Sequence, residues 1–316
     1  MNKNISGILV LDKPEGLTSA EALEKVKRLL KIKKAGHGGT LDPIATGVLP
    51  IFLNQATKVA QIFIEGDKVY EGFFELGITT DTYDITGEIL GKYQVKDITL
   101  DRLRQLAKGF EGEMEQIPPP FSAAKYRGRP LYKYARDGLL IPKEPKKITV
   151  YKFDITSLQG NQASFYLKCS KGTYVRSLIH KLGELLECGA VLVKLKRIQK
   201  SIFTLDQAIT LEKLMEFSEE SPEKISSVLI SVEKALEFLP KIIISEDLSD
   251  KVREGKEIPR QTFLSFVKFQ KLSLTPSEKW LRLVNSHGKL VAIIRNPLQE
   301  KERTYITYFR VFKGES

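Results

Sequence analysis

An α+β fold followed by a smaller β-rich unit is predicted by three features of the sequence. Strand-like apolar runs such as Gly7 to Leu11, Val48 to Leu53 and Val69 to Ile78 occur among segments with helical apolar spacing. Ile148 to Leu158 and Ala163 to Cys169 flank Gln159-Gly160-Asn161, a hairpin signal that calls for antiparallel pairing. From Pro240 onward the pieces are short and strand-like: Lys241 to Ile244, Trp280 to Val284, Leu290 to Ile294 and Tyr305 to Phe312. A chain of 316 residues has room for about two domains of ordinary size.

The elements follow in order. Gly7 to Leu11 reads as a buried strand that turns out through Asp12-Lys13-Pro14-Glu15-Gly16. Thr18 and Glu21 form a capping-box pattern for a helix carrying Ala22, Leu23, Val26, Leu29 and Leu30 on one face. A Gly-rich loop, Gly36 to Gly39, precedes the strand at Val48. Helical spacing returns at Leu100 to Gly109 and around Leu131 to Asp137, separated by Pro118-Pro119-Pro120, which no helix interior accepts. After the hairpin, Tyr174 to Leu186 is predicted as an amphipathic helix closed by Gly189 at C′. Val191, Val193 and Leu195 then alternate with Lys194 and Lys196 as in a strand with one solvated face. Leu211 to Leu239 is helical with a Ser- and Glu-rich interruption. The boundaries expected are a first domain over 1–238, with an insertion at 118–146 and linker helices at 211–238, and a second over 239–316.

Composition narrows the function. Hydrophobic residues make up 42% and aromatics 9%, enough for packed cores. Fifty Lys and Arg against 39 Asp and Glu give a net charge of +11, which fits a polyanionic partner where the cations cluster. The first apolar run is too short for a signal peptide and no run reaches the length of a membrane span, so a cytosolic protein is expected. Cys169 and Cys188 lack CxxC spacing and read as two reduced, partly buried thiols.

Ala35-Gly36-His37-Gly38-Gly39-Thr40-Leu41-Asp42-Pro43 places an imidazole, a hydroxyl and a carboxylate on a glycine-freed loop. It is not a phosphate-binding P-loop, since no Gly-Lys-Ser/Thr follows. Nor is it a dinucleotide fingerprint, because Leu41 occupies the third glycine position. Spacing alone leaves Asp42 as readily a turn residue before proline as a catalytic group.

Several blocks of sequence, in one order, resemble the TruB family of tRNA pseudouridine synthases. They are Leu11-Asp12-Lys13-Pro14; Gly36 to Pro43 with Ala45-Thr46-Gly47-Val48-Leu49; Lys68-Val69-Tyr70; Gly77 through Asp81 with Asp84; Ile117 to Ala123 with Lys125-Tyr126; and Cys169 to Leu178. The resemblance spans roughly residues 5 to 205. It implies a catalytic fold on a mixed, mainly antiparallel sheet with flanking helices and a mobile RNA-binding insertion. The C-terminal segment is similar in size, position and strand pattern to a PUA domain.

The same resemblance implies the roles. Asp42 would be the nucleophile, Arg176 the arginine that pairs with it and keeps it ionised, and Tyr70 the aromatic that stacks on the flipped base. His37, Tyr70, Tyr174 and Leu195 would contact or wall the target nucleotide. Without it, Arg176 would read as a surface arginine at a helix start, and Tyr70 and Leu195 as core. The substrate implied is the T arm and T loop of tRNA, with uridine 55 isomerised to pseudouridine. No cofactor and no metal is expected, because the product is an isomer and no electrons are exchanged; a monomer is expected, with no membrane partner. Asp81 and Asp84 alone are too few for a metal site and read as turn caps or loop braces.

Basic clusters fit an RNA partner. Lys25, Lys27, Arg28, Lys31, Lys33 and Lys34 precede the Gly-rich loop, and Lys194, Lys196, Arg197 and Lys200 surround and follow Leu195. Lys125, Tyr126, Arg127 and Arg129, with Tyr132, Lys133 and Tyr134, interleave cations and aromatics as single-strand RNA binders do. Lys13 is expected among the RNA contacts. Two other readings stand beside the enzyme: a non-catalytic tRNA-binding or tRNA-folding protein using the same groove, and a small-molecule enzyme of the nucleotide kind. The first has no use for an acid facing phosphates, and the second lacks its phosphate loop.

Overall fold

The computed structural model describes residues 5–122, 125–139, 141, 144–271 and 273–312. Ala123 of the family motif and part of the 118–146 insertion lie outside the described residues. By internal contacts the chain divides into two compact units, Met1–Leu229 and Ile230–Ser316.

In the first unit β1 (Gly7–Lys13) leads into α1 (Ser19–Leu29). The predicted capping box forms: the Thr18 hydroxyl accepts from the Glu21 amide at 3.2 Å, and the Glu21 carboxylate accepts from the Thr18 amide at 2.8 Å. β2 (Ala35–His37) and β3 (Ala45–Leu53) flank the Gly-rich segment, and α2 (Ala60–Ile64) precedes β4 (Lys68–Leu76). Next come the small hairpin β5 (Ile78–Thr80) and β6 (Ile89–Lys92), α3 (Leu100–Lys108) and β7 (Gly112–Gln116). The insertion holds a two-strand ribbon, β8 (Lys125–Tyr126) and β9 (Arg129–Pro130), and α4 (Leu131–Arg136). The long hairpin is β10 (Lys146–Gln159) and β11 (Gln162–Cys169), followed by α5 (Val175–Leu185), β12 (Ala190–Lys200) and β13 (Phe203–Thr204). Helices α6 (Leu211–Glu220) and α7 (Pro222–Ser227) close the unit, and the short strand β14 (Leu229–Ile230) straddles the division.

The main sheet runs in the order β1-β3-β12-β4-β11-β10-β7, with β2 on β3 and β13 on β12. β3 runs parallel to β12, with Leu195 paired to Ala45 and Arg197 to Gly47. That pairing delivers the end of the Asp42 loop to the strand bearing Leu195. On one face Tyr70, Phe74, Leu167, Leu192 and Leu195 join Val26, Leu103, Ile179 and Leu182 of α1, α3 and α5 in a continuous core. Each fully buried aliphatic or aromatic side chain contributes about 2 kcal/mol. The helices therefore pin that face, and with it the floor of the site.

The structure departs from expectation where signals are short. β5, β6 and β7 lack a clear sequence pattern, and β1 runs through Asp12 and Lys13 rather than turning there. Helix α5 ends with Glu187 in the left-handed region at φ 55°, so Gly189, at φ 70°, lies two residues beyond the C′ position predicted for it.

In the second unit α8 (Val232–Ala235) is followed by β15 (Lys241–Ile243), α9 (Glu246–Arg253), α10 (Arg260–Phe269), β16 (Trp280–Val284), β17 (Leu290–Arg295) and β18 (Tyr308–Val311). Strands β15 and β16 pair in parallel, and β16, β17 and β18 are antiparallel. Ile242, Leu281, Leu283 and Ile294 pack under Leu248, Val252 and Phe263 of α9 and α10. These two helices are additions to the expected strands, although Ser245 caps α9 through the Leu248 amide and Glu246 and Asp247 occupy its first turn. Among the described residues no helix is long and apolar enough to cross a membrane.

Candidate active site

A cavity of about 250 Å³ opens at the loop end of the helix-covered sheet face, lined by Thr40, Leu41, Asp42, Lys68, Tyr70, Gly172, Thr173, Tyr174, Val175, Arg176 and Leu195. Five of the predicted residues meet there: Asp42 from the loop before β3, Tyr70 from β4, Tyr174 and Arg176 from the start of α5, and Leu195 from β12. Nη2 of Arg176 lies 2.8 Å from Oδ2 of Asp42. The arginine side chain is 5% exposed and the aspartate 38%, so the guanidinium forms the floor and the carboxylate faces the opening.

Arg176 is fixed from four sides. Besides Asp42, Nη1 donates to the Thr82 carbonyl at 2.8 Å and Nη2 to the Phe121 carbonyl at 2.9 Å. The fourth contact is Asp84, whose Oδ2 lies 3.3 Å from Nη1 and whose side chain is 6% exposed. The Thr82 and Thr86 hydroxyls and the Thr86 amide all donate to Asp84 Oδ1. A cross-bonded turn thus holds a second carboxylate behind the first, with the guanidinium between them. Tyr174 is anchored through its main chain: Gln116 donates to its carbonyl at 3.0 Å and accepts from its amide at 2.8 Å. Asp84 is a loop brace, as its sequence context suggests, but its hold on Arg176 has no signal in the sequence. Gln116 carries none either.

Three cations expected at the surface lie inside. Lys13, expected to contact RNA, is fully buried. Its ammonium donates to the Pro14 and Leu17 carbonyls at 2.8 and 2.7 Å and, at 3.4 Å, to the carbonyl of Pro43, the residue after Asp42. A group spent on main-chain acceptors has no donor left for a phosphate. Burial pulls its pKa down to about 8, with Asp42 opposing that shift. Arg197 and Lys200, counted with the basic cluster after Leu195, are also fully buried. Lys194 is exposed, and with Lys196 it lines a groove that also holds Phe73 and Tyr166.

His37 sits on β2 opposite Ile51, outside the cavity lining. Burial first, and then the nearby Arg197 guanidinium, lowers its pKa, so the imidazole is neutral at pH 7. Its Nδ1 is buried without a hydrogen-bond partner. In the insertion, Arg127 lies over the Tyr126 ring at 5.4 Å and Arg129 over Tyr134 at 4.8 Å, while Arg129 pairs with Asp137 at 2.6 Å. The side chains of Lys125, Tyr132 and Lys133 lie outside the described residues. Among those described, no group of three or more potential metal-binding side chains occurs.

Lys200 gives the site's surroundings a pH signature. Its ammonium donates to the Ile64 and Gly66 carbonyls, and burial, helped by Lys68, brings its pKa down to about 7 from 10.5. Between those values the unfolded chain holds a proton that the folded protein has released, so stability rises with pH through that window. Below about pH 7 the full cost of burying the charge is present. Unfolding in urea at pH 7 and pH 9 is expected to show native stability gaining on Lys200→Met by about 1 kcal/mol per pH unit. Parallel curves would show that Lys200 keeps an ordinary pKa.

Comparison with known proteins places the chain in a family. Residues 27–175 match the model of the TruB family pseudouridylate synthase N-terminal domain, and residues 176–237 match that of the tRNA pseudouridylate synthase B C-terminal domain. The chain is 40% identical to tRNA pseudouridine synthase B of Pseudomonas aeruginosa over 296 residues, covering 93% of this chain and 92% of that protein. For the protein of the same name from Solibacter usitatus the identity is 38% over 289 residues, covering 92% and 95%. Among solved structures, a Cbf5-Nop10-Gar1 complex superposes with a TM-score of 0.71 at 28% identity, covering 97% of this chain and 84% of that one. An H/ACA RNP bound to a substrate RNA containing 2′-deoxyuridine gives 0.70 at 26% identity, covering 97% and 85%. The fold is that of a pseudouridine synthase, an isomerase. Within that class the chain belongs to the TruB family.

Proposed function

We propose that this enzyme isomerises uridine 55 in the T loop of tRNA to pseudouridine, with Asp42 as nucleophile. The observation that carries the reading is the Asp42 carboxylate held 2.8 Å from a buried arginine at the floor of a cavity walled by Tyr70, Tyr174 and Leu195. The cavity takes one base and not a duplex, so the nucleotide is flipped into it, which costs a few kcal/mol of lost stacking. The bond from ribose C1′ to uracil N1 breaks, the base turns, and C1′ joins C5. The C5 proton leaves, N1 gains a proton, and the product is an isomer. The carboxylate serves in the step that frees or recaptures the sugar, and Tyr70 and Leu195 enclose the detached base away from water.

The supporting surface is electropositive. Lys25, Arg28, Lys31, Lys33 and Lys34 stand just before the loop, and Arg127 with Tyr126, itself 38% exposed, offers a stacking platform on the insertion. In this reading residues 1–238 catalyse, with 118–146 closing over the T arm and 211–238 as linker helices. Residues 239–316 form a PUA-like RNA-binding domain, and the protein works as a monomer in the cytoplasm.

Incubation with unmodified tRNA carrying tritium at uracil C5 tests the reading. Label release equal to one proton per tRNA, mapped to position 55, is expected; release at another position, or none, refutes it. Affinity for tRNA is expected to fall by about tenfold or more between 50 and 200 mM salt, as release of counterions from several phosphates requires. A flat response in a filter-binding titration would mean that the exposed lysines do not contact the backbone.

A further inference from the structure

Arg197 heads the fully buried side chains by volume, yet it makes no ion pair with a carboxylate among the described residues. A guanidinium in that position is destabilising unless its N–H groups find acceptors. Nε donates to the Val48 carbonyl at 2.8 Å, Nη1 to the Thr40 carbonyl at 3.2 Å and Nη2 to the Gly39 carbonyl at 3.2 Å. Gly39 and Thr40 lie directly before Leu41 and Asp42. The fork leaves N–H groups over, and Tyr70 stands directly opposite Arg197 on the neighbouring strand, so the two side chains share one face of the sheet; the Tyr70 side chain opposes the lowering of the arginine's pKa by burial.

Two glycines let neighbouring main chain lie close to this residue. Gly47, at φ 96°, pairs with Arg197 across β3 and β12, and a Cβ there would stand 2.3 Å from the Arg197 carbonyl oxygen. Gly39, at φ 125°, brings its own main chain against the guanidinium, so that a Cβ on it would stand 4.0 Å from Arg197 Nη1.

We propose that Arg197 is a positioning residue for the isomerisation, tying the main chain just before Asp42 to the Tyr70 side chain and so fixing the carboxylate and the phenol relative to each other. Only a planar fork spans two carbonyls on one side and a phenol on the other; an ammonium is a point donor that satisfies one arm at a time. The inference rests on the catalytic reading given under Proposed function.

Single-turnover label release, with enzyme in excess over tritiated tRNA, tests it in Arg197→Lys, Tyr70→Phe and the double variant, alongside binding and thermal melts. Arg197→Lys is expected to bind tRNA within about threefold of the native protein while its rate falls about 100-fold, since a misplaced group costs rate and not affinity. On the Tyr70→Phe background the same change should cost no more than about threefold, because the arm it disrupts is already gone. A native rate in Arg197→Lys, or an undiminished loss on Tyr70→Phe, overturns the proposal. Should Arg197→Lys fail to fold, or Tyr70→Phe turn over too slowly to read, the guanidinium resonances of Arg197 in the native protein decide. They are expected to exchange slowly and to move on Tyr70→Phe; averaged or unmoved signals overturn it. An inactive native protein would instead refute the catalytic reading.

Discussion

Asp42→Asn is expected to bind tRNA with native affinity and to form pseudouridine at least about 10⁴ times more slowly, since loss of a nucleophile removes the reaction path rather than a fraction of its stabilisation. The amide has the shape of the carboxylate and its oxygen still accepts from Arg176, whose other contacts, to Thr82, Phe121 and Asp84, are untouched. The side chain is 38% exposed, so the amide is solvated at the opening as the carboxylate is and leaves no cavity behind. Separating the two readouts is the point: filter binding reports the RNA surface, and tritium release reports the carboxylate. Equal binding with lost turnover excludes the non-catalytic alternative, because a binder has no property that Asp42→Asn could remove. Turnover within about tenfold of native would take the nucleophile's role from Asp42.

How much of this is legible in the sequence depends on how local each signal is. The Thr18 and Glu21 box, the Gly160 hairpin turn and the helix at Tyr174 are set by neighbours within a few residues, and they form as predicted. The residues of the pocket come from segments more than a hundred positions apart, and only the motif order brings Asp42, Tyr70 and Arg176 together in advance. Arg197 shows a different failure. Strand alternation already puts it on the face of Leu195, two residues earlier, while Lys194 and Lys196 fall on the other. Treating every cation in a basic run as solvated overrides that periodicity and misplaces the residue. Lys200 is harder, because a register shift between Arg197 and Gln199 breaks the alternation before it. Lys13 looks exposed if the strand ends at Leu11, whereas β1 carries it inward under the Pro43 carbonyl. These cations hold carbonyls of the loops around the site, a use of charge that composition counts as RNA affinity.

Arg176→Ala is expected to damage stability as well as chemistry, and the division between them identifies what the arginine does. Asp84 has a side chain 6% exposed and faces the guanidinium at 3.3 Å. Removing the cation leaves that carboxylate buried with only the Thr82 and Thr86 groups to compensate it. Breaking such a pair from one side costs about 3 kcal/mol, and the Thr82 and Phe121 carbonyls lose their donor besides. Asp42 loses its orienting partner in the same stroke, so the single-turnover rate should fall by about 10³-fold or more. The double variant Arg176→Ala with Asp84→Asn separates the effects. Neutralising Asp84 removes the stranded charge, so urea unfolding should recover a third or more of the lost stability, roughly 1 kcal/mol. The rate should not recover, since nothing restores the contact to Asp42. Full stability in Arg176→Ala alone would show that Asp84 does not depend on the guanidinium, and recovery of turnover in the double variant would show that Arg176 serves Asp84 and not the nucleophile.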